Sequence, residues 1–470
     1  MSYQGRDNPG QGHMPYDEAL HTSMSNDAAR WPRREPGSRL EAEAWPQIKP
    51  SFRLIPGQKI FTIGSCFARN IEEYLAQMGF IIPTLSYEPD PSQRGGRTNA
   101  PLNRYTPYAI SQELAWTKAI IDKGSGVSWE DVEPLLFEAE PGRYYDLHMA
   151  DDNLVTRDRA LERRAKLFEI NKHAFSSDLI FITPGVTEVW FDRESDLYIH
   201  TAPPRRIMRR HHTDRFTFKV MSYQDCYGEL DRSIQLLRAA SAPSILMTVS
   251  PVPLKRTFTE QDVLTASTYS KSVLRAAVGS VCQAHERVDY FPSYEVVTLT
   301  KDRTIWKDDL RHVSDGFVAK IVSRLVRAYT DDKLGGHEGL ALIAKIREFN
   351  AIWEGGDAQN AAQLYREIAQ ADSNIRIPAF HESAALFNLN HGDLDAAMLH
   401  GRECIRLNPS KPVGYEVCAR VSAARTDHSS ALSFIGMAEQ VIGARSTRRS
   451  ARDLERIRNL RAEIVKSPPG

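Results

Sequence analysis

Short apolar runs alternate with amphipathic segments between residues 51 and 330. An apolar run of four to eight residues predicts a strand buried on both faces. Apolar residues that recur every three or four positions predict a helix with one buried side. The predicted strands are 60–63, 80–84, 178–183, 244–250 and 288–291, and the predicted helices are 66–78, 106–121, 158–174, 222–240, 260–284 and 314–329.

This alternation predicts an α/β fold, a three-layer doubly wound parallel sheet of the flavodoxin-like kind. In such sheets, ligand sites form beyond the carboxyl ends of the strands. Polar residues follow several of the predicted strands. They lie at Gly64-Ser65, in 185–192, in 248–253 and in 306–314.

From about residue 335 the pattern predicts helices only. A Gly-Asp-x-x-x-Ala motif starts at Gly356 and recurs at Gly392, and Thr426 starts a weaker copy. The copies are 36 and 34 residues apart, and this period resembles that of tetratricopeptide repeats. Such helix pairs usually hold a protein partner, and an unrelated helical bundle is the alternative.

Four segments follow from these patterns. We predict a disordered N-terminal arm over 1–50, with Trp31 and Trp45 as docking points. The α/β domain spans 51–330, the helical repeats span 335–445, and a basic helix and tail span 446–470.

Composition excludes several classes of protein. Sixty basic residues balance sixty acidic ones, so nothing favours a dedicated nucleic-acid binder. The five cysteines are scattered without C-x-x-C spacing, which argues against a zinc site or a disulfide framework. No apolar run is long enough to span a membrane, and we expect a cytoplasmic protein.

Ser65 is the first candidate for chemistry, because it follows a predicted strand and precedes a predicted helix. The free N–H groups and positive dipole end of that helix would stabilise an oxyanion formed by attack of a serine. A plain helix N-cap is the alternative for Ser65. Cys66 competes for the nucleophile role, since a helix N-terminus lowers the pKa of a thiol, but buried packing is commoner for cysteine.

Asp309 and His312 form a D-x-x-H pair just ahead of the last predicted helix of the α/β domain. In this spacing the carboxylate can orient the imidazole and leave its second nitrogen facing a hydroxyl. A loop ion pair is the alternative.

Residues 64–68 read Gly-Ser-Cys-Phe-Ala, and the chain resembles the GSCFA family, which is related to SGNH hydrolases. The resemblance covers roughly residues 55–328 and includes the blocks at 102–105, 185–188, 248–253 and 290–295. SGNH hydrolases place their serine after the first strand and D-x-x-H before the last helix, the order found here for Ser65, Asp309 and His312.

The resemblance implies a serine esterase or O-acyltransferase acting on acyl esters of a carbohydrate, with no metal or redox cofactor. It makes Ser65 the nucleophile, His312 the general base and Asp309 the residue that orients the imidazole. The oxyanion donors would be the N–H of Ser65 and a side chain of Asn103 or Thr187. Hydrolysis and acyl transfer both remain open.

Substrate contacts would come from two stretches. One is the block that contains Gly185 and Glu188, and the other is the basic run that contains Arg205 and Arg206, for which a solvated loop is the alternative. The chain departs from SGNH hydrolases by lacking an Asp between Gly64 and the serine, and Thr187 replaces the usual asparagine of the third block. These departures favour a second reading, an inactive adaptor that works through its helical repeats.

Overall fold

The computed structural model describes residues 14–33, 35, 37–55, 57–87, 99–149, 153–204, 214–330, 345–346, 348–350, 352–353, 355–371, 378–407, 411–443 and 448–466. These residues form two compact units. The first, here called the α/β unit, contains the described residues up to Arg53, Ile60–Glu72 and Pro83–Tyr329. The second, the helical unit, contains Leu54–Lys59, Glu73–Ile82 and the described residues after Tyr329.

The described chain forms ten strands and fifteen α-helices. The strands are β1 (Ile60–Gly64), β2 (Leu136–Glu140), β3 (Arg143–Asp146), β4 (Val155–Thr156), β5 (Leu179–Thr183), β6 (Glu188–Asp192), β7 (Leu197–Ile199), β8 (Phe216–Val220), β9 (Ser244–Met247) and β10 (Val288–Tyr290). The helices of the first part are α1 (Tyr16–Ser25), α2 (Cys66–Gln77), α3 (Pro107–Lys123), α4 (Trp129–Val132), α5 (Arg157–Asn171), α6 (Tyr223–Arg238), α7 (Val263–Ala284), α8 (Ser293–Leu299) and α9 (Asp315–Tyr329). Those that follow are α10 (Ala358–Ala371), α11 (Pro378–Asn390), α12 (Leu394–Leu407), α13 (Pro412–Ala424), α14 (His428–Gly443) and α15 (Arg448–Lys466).

A parallel sheet in the order β1-β5-β9-β10 forms the centre of the α/β unit, with helices flanking it, as predicted. Its register pairs Gly64 with Thr183 and Ile182 with Met247, so these strands end at one edge. All five residues of β1 and all five of β5 are buried, which explains their continuous apolar runs.

Two antiparallel sheets accompany the parallel one and were not predicted. One is β2-β3-β4 and the other is β7-β6-β8. Their strands are short and partly exposed, so they lack an apolar run. The strand predicted at 80–84 is wrong, because Pro83–Ser86 forms a 3₁₀ turn and Ile81 makes only a single parallel bridge, to Lys59.

Hydroxyl residues fix the starts of two helices next to the sheet. Thr106 caps α3 by accepting a hydrogen bond from the N–H of Ala109, and Pro107 supplies the first helical position. Ser222 and Asp225 form a reciprocal capping box at the start of α6. The cap at Thr106 holds the chain segment that passes the end of β1.

The N-terminal segment packs on the α/β unit over part of its length, which differs from the expectation of a mostly disordered arm. The indole of Trp45 lies 6.0 Å from the ring of Phe317, and the N–H of Ala44 donates to Thr300 Oγ1. Trp45 therefore docks as predicted. Trp31, the other predicted docking point, is largely exposed.

The three copies of the sequence repeat occupy equivalent turns in the helical unit. Asp357, Asp393 and Asp427 each accept a hydrogen bond from the N–H three residues ahead, at the starts of α10, α12 and α14. The preceding residue has positive φ in every copy, and the alanine four residues after the aspartate is buried in every copy. The repeat therefore marks a recurring helix–turn–helix unit.

Candidate functional site at the edge of the parallel sheet

Ser65 lies between the end of β1 and the first residue of α2, as predicted. Gly64 makes this turn with φ of +145°, a conformation that favours glycine. A Cβ on Gly64 would lie 2.3 Å from Thr183 Oγ1 and 2.4 Å from Thr183 O. The close pairing of β1 with β5 therefore requires glycine directly before the serine.

The polar atoms of Ser65 have local partners. Its N–H donates to Thr183 O at 2.9 Å and lies 3.1 Å from Thr183 Oγ1. Its Oγ accepts from the N–H of Phe67 at 3.3 Å, and the residue is 2% exposed. The N–H that was predicted as an oxyanion donor is thus engaged with β5, and the hydroxyl acts as a cap of the first turn of α2.

Asn103 lies beside the serine turn. It forms a parallel bridge with Gly64, and the next N–H, that of Arg104, donates to Gly64 O at 2.6 Å. The Asn103 amide donates to the hydroxyl of Tyr105 at 3.2 Å, while its buried Oδ1 has no hydrogen-bond partner. The guanidinium of Arg104 binds Glu113 at 2.7 Å, which anchors this segment to α3.

Gly185 brings the ends of β5 and β9 against the serine. A Cβ on Gly185 would lie 3.2 Å from Ser65 Cβ and 3.6 Å from Ser250 Cβ. Its N–H donates to Tyr105 O at 2.8 Å. Gly185 was predicted as a substrate contact, and it leaves little room for a side chain beside Ser65.

A buried lysine of α7 holds these strand ends together. Lys271 Nζ donates to Gly185 O at 2.5 Å, to Ser250 O at 2.7 Å and to Val252 O at 2.7 Å. Three acceptors match the three N–H donors of an ammonium group. Burial lowers the pKa of Lys271 to about 7. Sequence reasoning missed this residue, because a single lysine in an amphipathic helix carries no signal of burial.

Thr187 and Glu188 both have structural partners. The Thr187 hydroxyl lies 3.1 Å from Ser270 Oγ of α7, and Ser270 also accepts from the Thr187 N–H at 2.8 Å. Glu188 accepts from the Thr257 hydroxyl at 2.5 Å and from the Phe258 N–H at 3.0 Å. Thr187, a predicted oxyanion donor, therefore ties β6 to α7, and Glu188, a predicted substrate contact, orders the loop that follows β9.

The predicted Asp309–His312 pair forms. Asp309 Oδ2 lies 2.5 Å from His312 Nδ1, and Asp309 Oδ1 accepts from the N–H of His312 at 2.9 Å. These hydrogen bonds hold the pKa of Asp309 well below its ordinary value. Because the carboxylate is an acceptor, Nδ1 carries the ring proton and Nε2 presents a lone pair.

In this structure, the guanidinium of Arg311 lies within hydrogen-bonding distance of the His312 Nε2 lone pair. Its Nη1 lies 3.2 Å from His312 Nε2, and its Nε donates to Pro253 O at 3.1 Å. This second bond links the Asp309–His312 loop to the segment that follows β9. Among the described residues, the hydroxyl of Ser65 bonds to Phe67 and not to His312. Arg205 and Arg206 lie outside the described residues.

The described residues contain no group of three or more His, Cys, Asp or Glu side chains placed to hold a metal ion. Every helix in the described part of the chain is too short or too polar to cross a lipid bilayer.

Fold and site together define an α/β protein with a buried serine at a strand-to-helix turn and an Asp–His pair on a loop tied to a neighbouring strand end. Residues 59–325, more than half of the chain, match the GSCFA family. The chain belongs to this family, as its Gly-Ser-Cys-Phe-Ala segment predicted. No curated protein matches the chain.

Proposed function

We propose that the protein is an SGNH-like serine esterase or O-acyltransferase that acts on acyl esters of a carbohydrate, through Ser65, His312 and Asp309. The observation that carries the proposal is the orientation of His312. Asp309 fixes its Nδ1, so that Nε2 is left as the basic atom, and this is the arrangement that a general base for a serine requires.

In the proposed reaction, Ser65 Oγ attacks the ester carbonyl carbon and its proton passes to His312 Nε2. The imidazolium then gives the proton to the departing alcohol, and the acyl group remains on Ser65 until water or a sugar hydroxyl accepts it. His312 Nε2 must exchange its contact with Arg311 for one with Ser65 before the attack. The carbohydrate specificity rests on the resemblance to SGNH hydrolases alone.

Asn103 is the oxyanion donor that the contacts favour. Its segment pairs with Gly64, one residue from the nucleophile, and its weak 3.2 Å bond to Tyr105 can be exchanged for an oxyanion. The N–H of Ser65 and the hydroxyl of Thr187 have closer protein partners. The positive dipole end of α2 adds to the stabilisation.

Labelling with a fluorophosphonate, combined with turnover of a short-chain acyl ester, tests the proposal. We expect labelling of the wild type but not of Ser65→Ala, and loss of nearly all turnover in Ser65→Ala and His312→Ala. The two residues act as one unit, so the double variant should be no slower than either single variant. Near-normal turnover of His312→Ala with intact folding would refute the triad.

A second candidate is an adaptor without catalysis, and the hydrogen bonds of Ser65 favour it. The hydroxyl is buried, caps α2 and is not hydrogen-bonded to His312 in the described structure. In this case tetratricopeptide-like repeats in the helical unit would bind a protein partner. Absence of fluorophosphonate labelling at every pH tested would favour the adaptor.

A further inference from the structure

A cavity of about 510 Å³ lies in the α/β unit among α3, α5, α6 and β7. Its volume is within the range of small-molecule sites, about 300–1,000 Å³. Nothing in the proposed chemistry of Ser65 uses it. The residues that matter for its chemistry are Arg104, Tyr108, Trp116, His148, Tyr198 and His200.

Two buried histidines with unpartnered ring nitrogens line this cavity. His148 Nε2 and both ring nitrogens of His200 lack a partner, and the two residues are 6% and 4% exposed. Burial is the main cause that lowers the pKa of His148 to about 4 and the pKa of His200 well below its ordinary value. Both rings are therefore neutral at pH 7, so His200 offers one donor and one acceptor, while His148 offers its Nε2.

Unpaired buried polar groups are costly, about 1–3 kcal/mol for each. Two such imidazoles on one cavity wall point to a ligand that can donate and accept hydrogen bonds there. Hydroxyl groups do both at once.

The charges of the cavity exclude an anionic ligand. Arg104 is paired with Glu113, and Arg164 with Asp146, so the deepest cations are neutralised within the protein. Within the part of the chain that the structure describes, the lining has three arginines against four carboxylates. A phosphate or a carboxylate would therefore find no surplus positive charge.

Aromatic side chains form part of the walls. The rings of Tyr108 and Tyr198 stack with centroids 3.7 Å apart, and Trp116 lies about two turns further along α3. Flat aromatic surfaces suit the C–H faces of a ring that carries hydroxyl groups on its edge. We propose that this cavity is a binding site for a neutral sugar, with His148 and His200 as hydrogen-bonding partners of its hydroxyl groups.

The cavity adjoins the serine site through a stack of side chains. The ring of His200 lies 4.9 Å from that of Tyr105, with the planes 12° apart, and the hydroxyl of Tyr105 accepts the amide of Asn103. A sugar that binds His200 would steady Tyr105 beside the serine. Binding itself does not require Ser65 to be catalytic, so this inference goes beyond the proposed function.

Ligand-observed NMR and calorimetry on the full-length Ser65→Ala protein test the inference without interference from turnover. The probes are glucose, galactose and N-acetylglucosamine, with glucuronate and glucose 6-phosphate as charged comparators. We expect saturable binding of at least one neutral sugar at millimolar concentrations, and weaker binding of its charged analogues. No binding of any neutral sugar, or tighter binding of the charged ones, would overturn the proposal.

Two substitutions locate the binding. His200→Phe keeps the stack on Tyr105 but removes both nitrogens, and it should weaken binding about ten-fold without lowering the free energy of unfolding. Ala115→Phe, which fills the cavity, should also weaken binding. The matched control is His428→Phe, since this histidine of the helical unit also has two unpartnered ring nitrogens. Unchanged affinity in both cavity variants would show that the sugar binds elsewhere.

Discussion

The polar residues at the sheet edge are of two kinds. Some have weak hydrogen bonds that a ligand could replace, and others have hydrogen bonds that hold the fold together. The amide of Asn103 has one long bond and an unpartnered oxygen, whereas the hydroxyl of Thr187 is held between β6 and α7. A residue that must bind a transient charge belongs to the first group, because a donor already committed to the protein would have to break a bond.

Asn103→Ala should therefore lower kcat on a short acyl ester by about 10²–10³, the usual loss for one oxyanion donor. Thr187→Val should largely retain turnover but lower the free energy of unfolding by about 1–3 kcal/mol, because Ser270 loses a buried partner. Steady-state kinetics and chemical denaturation on both variants separate the two roles. The reverse result, with the kinetic loss in Thr187→Val, would assign the donor to Thr187.

At the scale of single residues, the sequence predicted the members of the motifs but not the residues that hold them in place. Ser65, Asp309 and His312 stand in recognisable spacing, and the Asp–His contact forms as expected. Lys271 and Arg311 escaped notice because their partners are backbone carbonyls and a ring nitrogen, and neither kind of partner leaves a sequence pattern.

Elements of the α/β unit were predictable where burial is complete. The parallel strands β1, β5 and β9 are buried along their whole length and are mainly apolar, so their positions followed from the sequence. The strand β6 has a mixed pattern of burial, and its residues were interpreted as part of a site loop instead. In a short strand with one partly buried face, the alternation of apolar and polar residues is too brief to detect in the sequence.

The tie between α7 and the strand ends gives a prediction for pH. Lys271 has a pKa of about 7 in the folded protein and about 10.4 when unfolded, so the unfolded chain binds more protons between these values. The free energy of unfolding should then rise with pH from about 7 to 10, by at most ~1.4 kcal/mol per pH unit from this group.

Lys271→Met should remove that slope. It should also lower the free energy of unfolding by about 2 kcal/mol or more at pH 9, since the neutral amine still supplies two N–H donors to the buried carbonyls of Gly185, Ser250 and Val252. Denaturant titrations between pH 7 and 9 measure both effects. The exposed pair of Lys172 with Glu169 supplies the control, and Lys172→Met should change little. Parallel pH profiles for wild type and Lys271→Met would contradict the assignment.

The whole molecule combines two units with separate hydrophobic cores. One core surrounds the parallel sheet, and another joins α13, α14 and α15. The sequence predicted this change of architecture from the change of period near residue 335, although the N-terminal contacts of Trp45 could be given only as a possibility. Substitutions in one core should leave the chemistry of the other unit unchanged.

Thr426→Gly tests this independence. Thr426 has φ of +60° at a turn where Gly356 and Gly392 stand in the other copies, and a β-branched residue is strained there. Glycine should stabilise the helical unit by about 1 kcal/mol, measured by hydrogen exchange in α13 and α14, at unchanged ester turnover. Thr426→Ala keeps the strain and should not stabilise. Altered turnover in Thr426→Gly would show that the units are coupled.

The thiol beside the serine offers a route to inhibitors that does not depend on knowing the natural substrate. Cys66 is half-buried at the start of α2, and a helix N-terminus is a setting in which thiols are often reactive. Burial raises the pKa of Cys226 and Cys282 to about 12 and that of Cys418 to about 11, so these thiols react slowly. Screening a library of mild electrophiles by intact-mass spectrometry should therefore select fragments that react with Cys66. Because Cys66 is one residue from Ser65, such fragments can be extended into compounds that reach the serine.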